Sequence, residues 1–150
     1  MTNTFSALHY HFIFSTKNRV PYLSQNIEKQ IWQYMAGIAR YNKIIAIKIG
    51  GFDDHIHALV KAPTNIAPSQ IAQYLKANSS KWIHQNFLFL KDFAWQEGYA
   101  VFTVNKINCF RIVKYIERQR QHHSNKKFED EYLDFLKINH INYDEKYLFD

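Results

Sequence analysis

Two long amphipathic stretches, residues 25–41 and 68–86, each stand between short segments that alternate as strands do. That order constrains the fold more than any other feature. Residues 5–15 (FSALHYHFIFS) place Leu8, Tyr10, Phe12 and Phe14 on one face of a strand. Residues 25–41 carry Ile27, Ile31, Tyr34 and Ile38 at helical spacing. Residues 43–50 and 55–61 read as strands joined by the turn-forming run Gly50-Gly51-Phe52-Asp53-Asp54. Pro68 suits the first turn of a helix over 68–86, whose stripe is Ile71, Tyr74 and Leu75, Asn78 and Trp82. A further strand over 99–104 and helices over 107–121 and 128–138 complete the chain. Right-handed crossovers fold the string β-α-β-β-α-β into an α+β, ferredoxin-like antiparallel sheet with helices on one face, followed by C-terminal helices. Residues 1–150 read as a single domain, and a fold of this kind hosts many functions.

Composition narrows the classes. With 47% hydrophobic and 21% charged residues, the chain reads as folded and globular. No apolar run approaches the roughly 20 residues that span a bilayer. The opening MTNTFSALHYHFIF lacks a charged n-region and a small-residue cleavage site, so no secretion signal is expected. Cys109 is the single cysteine, which excludes an internal disulfide and a multi-cysteine zinc site, and a reducing cytoplasm is the expected compartment. The net charge of +6 is unevenly placed. Residues 101–127 hold Lys106, Arg111, Lys114, Arg118, Arg120, Lys126 and Lys127 against Glu117 alone, whereas residues 128–150 are acidic. A basic middle points to a polyanion partner or to an ordinary solvated face.

Several constellations could carry chemistry. His55-Ile56-His57 at a strand start puts two imidazoles on one face, about 7 Å apart at Cα, where they could converge on one cation. Two hydrogen-bonded histidines without a metal are the other reading, and His9-Tyr10-His11 forms a second such pair. On the helix 107–121, Cys109, Ile112, Val113 and Ile116 make an apolar arc, and Arg111, Lys114 and Arg118 a basic one. Tyr115 and Gln119 lie together between them. A nucleophile on a phosphodiester needs that place, anchored by packing beside phosphate-holding charge; a tyrosine at a core edge is the plainer reading. Lys76, Ser79 and Lys81 suit phosphate contacts or an exposed helix face. Trp82, Phe93, Trp95, Tyr99 and Phe102 could stack unpaired bases or fill a core. Cys109 reads as a small hydrophobe.

Taken together, HYHFIFSTKNRVPYL, DDHIHALV, LKANSSKWI, WQEGYAVFTV, KYIERQRQHH and the ending KKFEDEYLDFLKINHINYDEKYLFD resemble the single-tyrosine transposases of the HUH superfamily, encoded by bacterial insertion sequences that move as single-stranded DNA. The likeness runs through nearly the whole chain in family order. Asp53, where the family favours proline, and Ala58, where a larger aliphatic is common, depart from it. The resemblance implies Tyr115 as nucleophile and His55, His57 and Gln119 as protein ligands of Mg²⁺ or Mn²⁺, with His9 and His11 outside the metal site. It implies strand cleavage and rejoining through a 5′-phosphotyrosine. It further implies single-stranded DNA with hairpins at element ends as substrate, and a homodimer in which one subunit's tyrosine helix completes the other's site. The basic arc Arg111, Lys114 and Arg118 is compatible with a single-strand track. The competing reading is a non-catalytic ferredoxin-like protein that grips RNA or single-stranded DNA. It is weakened by the absence of a K/R-G-F/Y-x-F type motif. A domesticated relative acting on dispersed chromosomal repeats would carry the same site residues.

Overall fold

The computed structural model describes residues 3–150. Its elements are β1 (Leu8–Ser15), α1 (Gln25–Tyr41), β2 (Ile45–Phe52), β3 (His55–Ala62), α2 (Pro68–Asn86), β4 (Ala100–Thr103), α3 (Cys109–Glu117), α4 (Gln119–His122) and α5 (Phe128–Ile138). The sheet order is β2-β3-β1-β4, with every pair antiparallel, as the element string requires. No helix among the described residues is long and apolar enough to cross a membrane.

Both sheet faces are covered. Even-numbered strand residues Phe12, Phe14, Ile56, Ala58 and Val60 pack with α1 and α2 in the main core. The odd face, with Ile13, is covered by the C-terminal helices through Phe128, Tyr132 and Leu136. This double burial explains why β1 is buried on both faces from His11 onward, although its sequence alternates.

Two helices differ in detail from the sequence reading. The buried stripe of α2 is Ile71, Ala72, Leu75, Ser79 and Ile83, so Ser79 takes the place expected for Asn78. The cause is Trp95, whose indole Nε1 donates to the Ser79 hydroxyl (2.9 Å) and gives a small polar residue a satisfied core position. The helix expected over 107–121 is broken at Arg118 (φ −97°, ψ 13°) into α3 and α4. The break turns Gln119 inward to 1% exposure and sends Arg120 toward the start of α1.

The close approach of α3 to β2 depends on Gly50. A Cβ there would lie 2.7 Å from Ile116 Cγ2. At Gly51, paired with Ile56 at the end of β2, a Cβ would lie 2.1 Å from the His55 carbonyl oxygen, so this end of the strand has no room for a side chain.

Candidate active site

The site is built on the odd face of the sheet. In the β1–β3 register His57 lies opposite Ile13 and His55 opposite Ser15, so both imidazoles point to the C-terminal helices while Ile56 enters the main core. Both are fully buried. Alternation within β3 therefore delivers the paired geometry read from the H-x-H spacing.

Each ring is oriented from behind. His55 Nδ1 lies 2.8 Å from Asp54 Oδ1; a carboxylate only accepts, so Nδ1 donates and Nε2 is left facing the site. His57 Nδ1 lies 2.8 Å from His11 Nε2. His11 thus stands behind His57, which agrees with leaving it outside the ligand set. Burial, then the neighbouring His57, holds the His11 imidazole well below its ordinary range, and burial lowers His57 as well.

The helices bring the remaining groups to the same point. Gln119 Oε1 lies 2.7 Å from His55 Nε2. The Tyr115 ring centroid is 5.5 Å from that of His57. All four expected residues, Tyr115, His55, His57 and Gln119, meet within one chain.

Sequence reasoning missed Glu131 on α5. Its carboxylate is 1% exposed and accepts a hydrogen bond from the Tyr115 hydroxyl through Oε2. Gln119 Nε2 donates to the same oxygen (3.1 Å), and His57 Nε2 lies 2.9 Å from Oε1. Burial alone would push this carboxyl up, but the imidazoles of His57, His123 and His55 hold it far below the usual carboxylate range, so it is ionised. Burial, reinforced by the Glu131 charge, pushes the Tyr115 phenol well above its ordinary value. The signal was present in the sequence: Glu131 falls on the helical arc of Phe128, Tyr132 and Leu136, an acid on an apolar stripe.

The donor set fits a divalent cation. His55, held at Nδ1 by Asp54, faces an amide oxygen at 2.7 Å and a carboxylate oxygen at 3.5 Å through Nε2. Positive charge is favoured at that point, whether a ring proton or a bound cation supplies it. His55, His57 and Glu131 each offer a ligand atom within 4.8 Å of the others.

The basic residues divide between two faces. Arg111, Lys114 and Arg118 line a cleft with Tyr115, Phe110 and His122. Lys76, Ser79 and Lys81 lie on α2, across the sheet from Tyr115. Ser79 is fully buried, and the Lys76 ammonium donates to the Glu97 and Gly98 carbonyls (2.8 and 2.9 Å). These two are tied into packing; Lys81 is exposed. Cys109 is half-buried, and its thiol lies 3.7 Å from the Asn105 carbonyl oxygen.

Comparison with known proteins agrees with this geometry. Residues 4–119 match the family model of IS200-like transposases. The transposase of insertion sequence IS200 from Salmonella typhimurium is 28% identical over 116 residues, covering 73% of this chain and 75% of that protein. The ISDra2 transposase TnpA of Deinococcus radiodurans is 27% identical over 117 residues, covering 75% of this chain and 84% of its own. A crystal structure of a candidate transposase from Deinococcus radiodurans superposes with a TM-score of 0.67 at 25% identity, covering 79% of this chain and 95% of that one. A REP-associated tyrosine transposase bound to a REP hairpin shares the fold, with a TM-score of 0.59 at 15% identity over 82% of this chain and 72% of that one. With a tyrosine, two strand histidines and a glutamine gathered on one sheet face, and with the family match running from the first strand to that glutamine, this chain belongs to the IS200-like transposases.

Proposed function

We propose that the chain cleaves and rejoins single-stranded DNA through Tyr115, with His55, His57 and Gln119 holding a divalent cation, Mg²⁺ or Mn²⁺. The observation that carries this reading is the placement of the Tyr115 ring 5.5 Å from His57, at a cleft lined by Arg111, Lys114 and Arg118.

The residues divide the work. Arg111, Lys114 and Arg118 take backbone phosphates and bring the scissile linkage beside the phenol. His11 and Asp54 fix the two imidazoles, so that no reorientation is needed when substrate arrives. Before reaction the proton stays on the Tyr115 oxygen, held by Glu131 Oε2. Attack of that oxygen on phosphorus forms a phosphotyrosine at the 5′ side and frees a 3′-hydroxyl. What a cation at the His55–His57 pair supplies is polarisation of a non-bridging phosphate oxygen and an offset to charge building at phosphorus. A phenol, with an ordinary pKa of about 10, leaves more readily than an alkoxide. The linkage therefore remains open to attack by a returning 3′-hydroxyl, and strand joining needs no nucleotide cofactor.

The substrate is taken to be single-stranded DNA with hairpins at the element's ends. The hairpin named for the REP-associated neighbour supports that choice. For assembly, one chain gathers the whole constellation, so each protomer is read as holding its own site and any dimer as leaving it intact. Incubation with single-stranded DNA from the gene's own flanks and Mg²⁺ or Mn²⁺ tests the reading. A denaturation-resistant protein–DNA adduct is expected; stable binding without any adduct would favour the non-catalytic alternative.

A further inference from the structure

Phe110 stands apart from the other apolar residues of α3. Cys109, Ile112, Val113 and Ile116 form the arc that faces the protein, and Phe110 lies outside it, among the basic residues. It is 70% exposed. A single exposed aromatic needs no explanation by itself. Phe110, however, lines the cleft of about 530 Å³ that also holds Tyr115, Arg111, Lys114 and Arg118. Phe110, Lys114 and Arg118 follow one another at four-residue steps, and Arg111 and Tyr115 form the adjacent row. The ring therefore precedes Tyr115 by about 7.5 Å of helix rise, close to one nucleotide step of an extended strand. Lys114 Nζ lies 5.4 Å from the Phe110 ring centroid. A cation thus sits at one face of the ring, and its exposure leaves the other free.

We propose that Phe110 is a stacking platform for one unpaired base next to the linkage that Tyr115 attacks. This rests on the strand-cleavage reading above and adds a base contact to a cleft otherwise read as holding phosphates. Every base has a π face, so an aromatic ring accepts it with little regard to sequence. The stack fixes the nucleotide along the cleft, and the phosphate joined to it then meets the Tyr115 oxygen in place. The three cations of the cleft favour a nucleic acid over a protein as the occupant. An apolar protein surface seated on Phe110 would desolvate Arg111, Lys114 and Arg118 without pairing them.

The probe is single-stranded DNA from the gene's own flanks, with an abasic residue walked along the strand and binding to the full chain read by fluorescence anisotropy without added divalent ion. At one position, beside the linkage cut when Mg²⁺ or Mn²⁺ is added, loss of the base should weaken wild-type binding by roughly five- to a hundredfold. Phe110→Ala should weaken binding to intact DNA by a similar factor and be indifferent to the abasic residue there, so that the two losses do not add. Phe110→Leu keeps an apolar side chain without a π face and should behave as Phe110→Ala does, whereas Phe110→Trp should bind at least as well as wild type. No charge is lost, so the slope of log affinity against log salt should be the same in all four proteins. Phe89→Ala, which removes a ring 73% exposed and outside the cleft, should leave DNA affinity unchanged. Additive losses at every position, or wild-type affinity in Phe110→Leu, would overturn the platform. So would a coupled position far from the cut linkage, or a Phe110→Ala protein that loses self-association while keeping its DNA affinity, which would make the ring a protein contact. Coupling without any covalent adduct defeats the strand-transfer reading and leaves the platform standing; adducts without coupling defeat the platform alone.

Discussion

The hydroxyl of Tyr115 donates its hydrogen bond to Oε2 of Glu131, a buried carboxylate carried 16 residues further along the chain. The nucleophile expected from the sequence is thus held by a residue that the sequence reading passed over. Tyr115→Phe removes one oxygen and little shape. Covalent adducts should vanish, while hairpin affinity stays within a few-fold. Glu131 keeps His57 and Gln119 as partners, so stability should fall by only about 1 kcal/mol. Denaturing gels, fluorescence anisotropy and urea unfolding read the three quantities. An adduct formed by the Phe variant would take the nucleophile role from Tyr115.

Arg120 fastens this helical segment to the rest of the same chain. Its guanidinium reaches Glu28 (2.7 Å), Asp53 (3.0 Å) and the Leu23 carbonyl (3.1 Å), and lies over the Phe52 ring. Asp53, a departure from the family pattern, thereby gains a function in holding α4. Arg120→Met keeps the stem and strands two carboxylates, so it should cost about 1–3 kcal/mol and lower cleavage more than DNA binding. A site complete in each chain makes a second prediction. Mixing Tyr115→Phe with His57→Ala protein should restore no cleavage. Recovered activity in the mixture would show the helix exchanging between subunits.

The fold was largely legible because strands and helices of different period alternate cleanly, and α1, α2 and α5 begin and end where the pattern places them. His55, His57 and Tyr115 were legible as well, since local spacing fixes their faces. Glu131 and Arg120 were not, because they act through contacts far along the chain that no local period marks: Glu131 to His57, 74 residues apart, and Arg120 to Glu28, 92 residues apart. The break at Arg118 was equally hidden: nothing in helix propensity marks it, and it follows from Gln119 and Arg120 finding partners in opposite directions.

Gly50 sets how closely α3 approaches β2. In Gly50→Ala the new methyl meets Ile116, a buried residue next to Tyr115, and α3 must shift outward. Overpacking of this kind costs about 1–3 kcal/mol. Because the shift carries Tyr115 with it, cleavage should fall by more than the lost stability explains, even where the protein remains fully folded. Equal adduct yields from wild type and variant at a temperature well below both melting points would separate α3 placement from catalysis.

Tyr132 gives a test of the second core. Its ring is 4% exposed, and burial pushes its phenol up to about 12. Between pH 10 and 12 the unfolded chain releases this proton and the folded chain retains it. A folded value raised above the unfolded one means stability that is full below pH 10 and lost as pH rises through the folded value. The loss amounts to about 2–3 kcal/mol. Tyr132→Phe should flatten that part of the alkaline limb in denaturant unfolding measured from pH 9 to 12. Parallel limbs for the two proteins would mean that the hydroxyl is not buried in the apolar cluster with Phe128 and Leu136.

Salt dependence decides which face carries the DNA strand. Arg118 borders the Tyr115 cleft, whereas Lys81 is exposed on α2 across the sheet. Each phosphate neutralised on a single strand contributes about 0.7 to the slope of log affinity against log salt. Arg118→Gln and Lys114→Gln should each lower that slope by about this amount, while Lys81→Gln leaves it unchanged. Lys114 also pairs with Glu117 (3.6 Å), so its effect should be the smaller of the two. A strand that ran instead along α2 would reverse the pattern, with Lys81→Gln lowering the slope and Arg118→Gln leaving it intact; the scissile phosphate would then lie a sheet's thickness from the phenol.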